Sequence, residues 1–274
     1  MSDPNLLVLD SVTRMDESHR GKVLVAGSHG AVYAAYLAAL GRLRGVILND
    51  AGVGKDAAGI SGLPYLDDAG IAGATVSHRS ARIGDGADML ARGVISRVNR
   101  LAAALGCKPG QSCADCAALL TRAQVPATEP PPKRESRFRL RARPGEPEVW
   151  GIDSASLVTP DDKDRILIVG SHGQLLGGRP ETALKHDAVA AVYNDAGCGI
   201  DGAGTSRLPA LDARGIAGAT VGHDSARIGD ARSSWDGGVI THVNKTAAAM
   251  GGKPGMTAQD FAGQIARAWA KRQR

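Results

Sequence analysis

Aromatic side chains are scarce: two Phe, three Trp and four Tyr among 274 residues. So few flat rings leave little surface for stacking bases, which counts against a single-stranded nucleic acid partner. No apolar run approaches the roughly 20 residues needed to cross a bilayer, so no membrane partner is expected. Met1-Ser-Asp-Pro-Asn5 lacks the basic stretch and apolar run of a signal peptide, and the expected location is the cytoplasm. Cysteine is also sparse. Cys107, Cys113 and Cys116 cluster, but a lone C-x-x-C at 113–116 has no second pair with which to build a metal site. Neither a P-loop nor a G-x-G-x-x-G turn follows the first strands, which argues against a nucleotide cofactor. With no H-E-x-x-H or H-x-H, no cofactor is expected; the alternative is a divalent metal on His29, Asp50, His78 and Asp85.

The net charge of +5 is concentrated in Lys133–Arg143 and the C-terminal Lys271-Arg272-Gln-Arg274. A basic linker and tail read as solvated, and the bias also suits a small anionic substrate. Glycine, by contrast, is abundant at 36 residues, and much of it belongs to a repeat. Asn49–Gly110 returns without a gap as Asn194–Gly255, and the shared residues are mainly polar ones and glycines. His78, Ser80, Arg82 and Asp85 recur as His223, Ser225, Arg227 and Asp230. Cores tolerate apolar swaps of similar volume, so a repeat kept only for folding should preserve pattern, not polar identity. The retained polar set points to duplicated chemistry or a duplicated polar network.

Short β-branched runs closed by glycine or polar residues read as buried strands. They include Lys22–Ala26 before Gly27-Ser28-His29-Gly30, Gly45–Leu48 before Asn49-Asp50, and Ala72–Val76 before His78. Helices are expected over Ala31–Leu43, through Leu63–Asp67, and over Asn99–Leu105 and Cys113–Ala123. The expected fold is α/β: two tandem homologous lobes, each a mostly parallel sheet flanked by helices, related by pseudo-twofold symmetry. Residues 1–124 form the first repeat, 125–147 a Pro/Arg-rich linker and 148–274 the second repeat. The period-two alternation of Arg137–Arg143 fits an added edge strand. The first strand is open to antiparallel pairing, which would put Asp10 at the opposite end of the sheet.

Ligands of open α/β sheets bind beyond the carboxyl ends of the strands, where these motifs converge. Candidate catalytic residues are His29, Asp50, His78 and Ser80, with His172, Asp195, His223 and Ser225 in the second repeat. A histidine would act as general base with Asp50 or Asp195 orienting it, and a serine as nucleophile if an imidazole lies in reach. Ser28, Asn49 and Arg82, with Ser171, Asn194 and Arg227, would bind substrate, the arginines gripping an anion. Helix starts after Gly30 and near Asp56 would add free N–H groups. Structural duty competes at each place: Arg82 with Asp85 can be an ion pair tying a loop, and Asp56, Asp67 and Asn99 can cap turns or helices.

The leading expectation is a hydrolase of a small anionic or cyclic amide-like molecule. The alternatives are an isomerase, racemase or lyase with acid/base groups facing across the two repeats, and a non-catalytic ligand-binding protein. The oligomeric state is open, a homo-oligomer being compatible. The stretch from Ser171-His172-Gly173 to Asn194-Asp-Ala-Gly-Cys198 also resembles the caspase-type cysteine peptidases. That resemblance implies a His172/Cys198 dyad. The first repeat has Val53 where Cys198 stands.

Overall fold

The computed structural model describes residues 4–127 and 129–272. The first three residues of the N-terminal segment, Thr128 of the linker and the last two residues of the basic tail lie outside them. The first sheet has five strands in sequence order: β1 (Leu6–Leu9), β2 (Val23–His29), β3 (Gly45–Asn49), β4 (Ala72–Val76) and β5 (Ile95–Val98). The second has six: β6 (Arg137–Arg141), β7 (Val149–Ile152), β8 (Ile166–His172), β9 (Ala190–Asn194), β10 (Ala217–Val221) and β11 (Ile240–Val243), also in spatial sequence. β1 to β4 and β7 to β10 are parallel, and only β5, β6 and β11 run against their neighbours. The chain is therefore α/β, with two mostly parallel mixed sheets. β1 pairs parallel to β2, which puts Asp10 at the same end as the other motifs and excludes the antiparallel option.

Side chains alternate across a strand, and these strands are apolar on both faces because both are covered. Val23 and Val25 face one core with Ile47 and Leu120, whereas Leu24 and Ala26 face the other with Ala35 and Leu66. Helices α1 (Val32–Leu40) and α2 (Gly62–Asp68) cover the latter face; α3 (Gly86–Arg92), α4 (Arg100–Ala104) and α5 (Cys113–Leu120) cover the former. In the second half α6 (Arg207–Ala213) takes one face, and α7 (Ala231–Gly237), α8 (Lys245–Ala249) and α9 (Ala258–Arg272) take the other. Cys107, Cys113 and Cys116 are buried among apolar side chains, as core residues.

Where α1 covers the first sheet, the second has two short 3₁₀ turns, Leu176–Gly178 and Pro180–Thr182. Gly177-Gly178 and Pro180 prevent a helix there. Tyr193 fills the volume, donating its hydroxyl to Ala183 O (2.9 Å) beneath the Arg207 guanidinium.

Arg137–Arg141 adds the edge strand that its alternation predicts, beside β7. The preceding connector runs along the first half, where Tyr65 Oη donates to Pro131 O (2.7 Å). The two halves meet through the loops beyond their strand ends. Lys55 N donates to His223 O and Ile200 N to His78 O, both at 2.8 Å, around a small apolar cluster of Ala51, Ala58, Ile83, Ala196 and Ile228. Among the described residues no helix is long and apolar enough to cross a membrane.

Candidate active site

The loops after β3 and β9 turn back sharply on the strands they leave. Ala51, Gly52, Val53 and Gly54 all have positive φ, as do Ala196, Gly197, Cys198 and Gly199. Asn49 and Asn194 hold these turns. Each is fully buried, with its Oδ1 accepting from the backbone two residues on (2.9 Å) and its Nδ2 donating to Ala81 O or Ala226 O. Both side chains are bonded to backbone inside the protein, and neither lines the cavities around His29 and His172, so the structure does not bring them to the cleft as substrate-binding residues. The 3₁₀ segment Lys55–Ile60 contains left-handed Asp56 and Ala57, so no helix starts there. Gly197-Cys-Gly199-Ile-Asp-Gly202 has the glycine spacing of a dinucleotide turn, a match the sequence reading passed over. It leads into a 3₁₀ segment, without a long helix to face a pyrophosphate.

Asp50 and Asp195 do orient histidines. Asp50 Oδ1 accepts from His78 N (2.9 Å) and lies 2.8 Å from His78 Nδ1; Asp195 Oδ1 does the same for His223 at 2.9 and 3.1 Å. Burial pushes both carboxyls up, but the hydrogen bonds from the histidines outweigh it and hold them below the usual range. Asp195's hydrogen bond pushes the His223 imidazole up. Each ring packs on a glycine of the opposite half, His78 on Gly197 and His223 on Gly52.

His29 and His172 do not join these dyads. They line a separate cleft between the halves, a cavity of about 60 Å³ with Ser28, Ser171, Tyr33 and Glu135. An adjoining cavity of about 280 Å³ shares Ser11, Ser154, Ser171 and His172 with it, and adds Lys185 and Arg207. A cavity of about 690 Å³ between Met15 and Arg42 adjoins the cleft, sharing Val12, Thr13 and Leu37 with it, but none of these histidines lines it. His29 Nδ1 accepts from Ala31 N and His172 Nδ1 from Gln174 N, both at 3.3 Å, which assigns each ring proton to Nε2. His29 keeps some open surface, yet enclosure by protein pushes its pKa down to about 4. Burial pushes His172 down too, helped by the charges of Arg207 and His29. Both rings are neutral at neutral pH. Glu135 behaves oppositely: burial pushes it up to about 7, against a hydrogen bond from Ser154 and with the repulsion of Asp153.

The serines and arginines have other work. Ser28 Oγ accepts from Val12 N and Ser171 Oγ from Ala155 N, both at 2.9 Å, and no hydrogen bond joins either to a histidine. Ser80 Oγ donates to Ser77 O and accepts from Val94 N (both 2.9 Å); Ser225 makes the matching bonds to Gly222 and Val239. These four hydroxyls tie loops, and the Ser–His nucleophile expected from sequence is not assembled. Arg82 is committed to Asp88 (2.9 Å) and Asp85 (3.6 Å), and Arg227 to Asp56 (2.9 Å) and Asp230 (3.0 Å). Neither is a free anion clamp.

The metal set His29, Asp50, His78 and Asp85 is likewise not gathered. Among the described residues one His/Cys/Asp/Glu group has ligand spacing, namely Asp195, Cys198 and His242. Cys198 makes no hydrogen bond to His172, and burial and Asp195 push its thiol up, away from the thiolate a peptidase needs. The His172/Cys198 dyad is thus not formed. Sequence reasoning missed Glu135, His242 and the serines beyond β1 and β7. Ser11 and Ser154 recur in both repeats and were open to notice, whereas Glu135 and His242 have no counterpart to draw attention to them.

Comparison with protein-family models, curated proteins and solved structures finds no match to this chain.

Proposed function

We propose that this protein is a small-molecule enzyme of the proton-transfer type, an isomerase, racemase or lyase, working in the cleft between its halves. The observation that carries the reading is that Ser28 and His29 of one half and Ser171 and His172 of the other line one cavity. We infer that the halves are copies of one unit meeting about a local twofold axis. The gapless repeat and the exchanged hydrogen bonds from Lys55 and Ile200 support this.

In this reading the substrate carries a carboxylate or carbonyl, drawn in by Lys185 beside the larger cavity, while Arg207 is held by the backbone carbonyls of His172, Thr182 and Ala183 and contributes only its buried charge. Neutral imidazoles protonated at Nε2 serve as hydrogen-bond donors to the oxygen on which charge develops. Glu135 takes the proton from the carbon beside that group and delivers it to the adjacent carbon of the same molecule, ending as the carboxylate it began as, its pKa of about 7 matching that duty. The histidines change role from the general base expected on sequence to electrophilic donors.

A hydrolytic reading stays in view because the Asp50–His78 and Asp195–His223 pairs are oriented as general bases for water. One experiment separates the two. Small carboxylates and cyclic amides are incubated with the protein in deuterated water and followed by NMR. Solvent deuterium at a carbon, without net hydrolysis, is expected, with a loss of about 10²-fold or more in Glu135→Gln. Hydrolysis that survives Glu135→Gln but is lost in His78→Gln and His223→Gln would reverse the assignment. No turnover of any kind would favour a binding protein.

A further inference from the structure

The second half carries a feature the first lacks, and it lies outside the cleft. Asp195 ends up beside Cys198, in its own loop, and His242, on β11, with one ligand atom of each within 4.8 Å of the others. The corresponding residues of the first half are Asp50, Val53 and Arg97, so the carboxylate is shared while both other donors are private to the second half. The two private donors are far apart in sequence, yet they converge on one carboxylate. None of the three lines the cavities around His29 and His172.

We propose that Asp195, Cys198 and His242 form a site for one divalent first-row metal ion of the zinc type. Carboxylate, thiolate and imidazole are the three donor classes that zinc takes from proteins, and three protein ligands leave a fourth position open. The carboxylate has room for the ion. Its Oδ1 accepts from His223 N, His223 Nδ1 and Gly197 N, whereas among the described residues Oδ2 accepts from Thr241 Oγ1 alone (3.1 Å). A carboxylate oxygen with a single donor retains a lone pair for a cation. Bond lengths of about 2.0–2.3 Å put tetrahedral ligand atoms roughly 3.3–3.8 Å apart. Donors already within 4.8 Å therefore need to close by at most about 1–1.5 Å. His242 is exposed and, among the described residues, held only by a long contact of its Nδ1 with Thr220 Oγ1 (3.4 Å), which a rotation of the ring would exchange for the ion, and Cys198 and Asp195 sit on one turn. On binding, the Cys198 thiol gives its proton to solvent and the thiolate becomes the ligand.

The site stands independently of the proton-transfer reading, so its test needs no substrate. Full-length protein stripped by a chelator is titrated with Zn²⁺ and separately with Co²⁺. One Zn²⁺ per chain is expected, and the Co²⁺ form should show a thiolate-to-metal charge-transfer band with tetrahedral d–d absorption. Cys198→Ser should abolish the charge-transfer band. His242→Ala, at an exposed position that leaves the fold intact, should weaken Co²⁺ binding by at least about tenfold. Replacing Val53 and Arg97 with Cys and His in the first half should raise the capacity to two ions. Sub-stoichiometric Zn²⁺, or a charge-transfer band that persists in Cys198→Ser because Cys107, Cys113 or Cys116 supplies the sulfur, would overturn the proposal.

Discussion

His29 is an imidazole kept neutral by its surroundings, and that carries a thermodynamic signature. Its folded pKa of about 4 lies below the unfolded value of 6.5, so the contribution to stability is complete above about pH 6.5. It is lost as the pH falls towards 4, with a limiting slope of about 1.4 kcal/mol per pH unit for one such group. Denaturant unfolding at a series of pH values should show this acid loss, and His29→Gln should flatten it. Glu135 has the reverse sign. Its folded pKa is raised to about 7 from 4.5, so stability is full below 4.5 and declines as the pH rises through 7. Glu135→Gln should therefore be relatively more stable than the parent at alkaline pH, measured the same way. The contrast between these residues also explains what could be read in advance. Asp50 and His78 are paired side chains kept in both repeats, and their partnership was legible as spacing beyond neighbouring strands. Glu135 sits once, in a connector, and only the docking of that connector on the cleft brings it beside His29 and His172. A repeat announces residues that work twice and is silent on those that work once.

At the level of elements, the turns after β3 and β9 are the strained parts of the fold. Gly52 has φ +78°, and an added Cβ would come within 2.7 Å of His223 Cδ2 and 3.0 Å of Gly197 Cα. Gly52→Ala should cost about 2–4 kcal/mol in chemical denaturation, from left-handed strain plus overpacking. Its neighbour Val53 is the opposite case. A β-branched residue at φ +62° is disfavoured, so Val53→Gly should be neutral or stabilise by up to about 1 kcal/mol. Opposite signs at adjacent positions would identify backbone conformation as the cause. The strands and most helices were visible as runs and caps: Asn99, read as a cap, accepts from Ala102 N and also from Gly73 N, both at 2.9 Å. The full left-handed runs were not, because among their glycines stand Ala51, Val53 and Ala57, residue types that do not advertise positive φ. The loop is held by its contacts with the other half, which a local reading of sequence does not contain.

For the whole molecule, the imidazole, carboxylate and guanidinium groups beyond the strand ends do not share one place: His78 sits on Asp50, His29 lines the cleft with His172, and Arg82 pairs with Asp85 and Asp88. Among the described residues three arginine ion pairs bridge the halves: Arg92 with Asp201 (2.7 Å), Arg227 with Asp56 (2.9 Å) and Arg179 with Asp10 (3.9 Å). The connector between the halves has an exposed stretch around Pro131 and Pro132, whereas the loop-to-loop contacts are buried. Proteolytic nicking there should leave both fragments in one particle on size-exclusion chromatography until denaturant is added. The crossed backbone bonds have one more consequence. Ile200 N–H holds the carbonyl of His78, and Lys55 N–H holds that of His223. The turn of each half and the histidine loop of the other are thereby tied into a single framework, so neither turn is anchored by its own half alone.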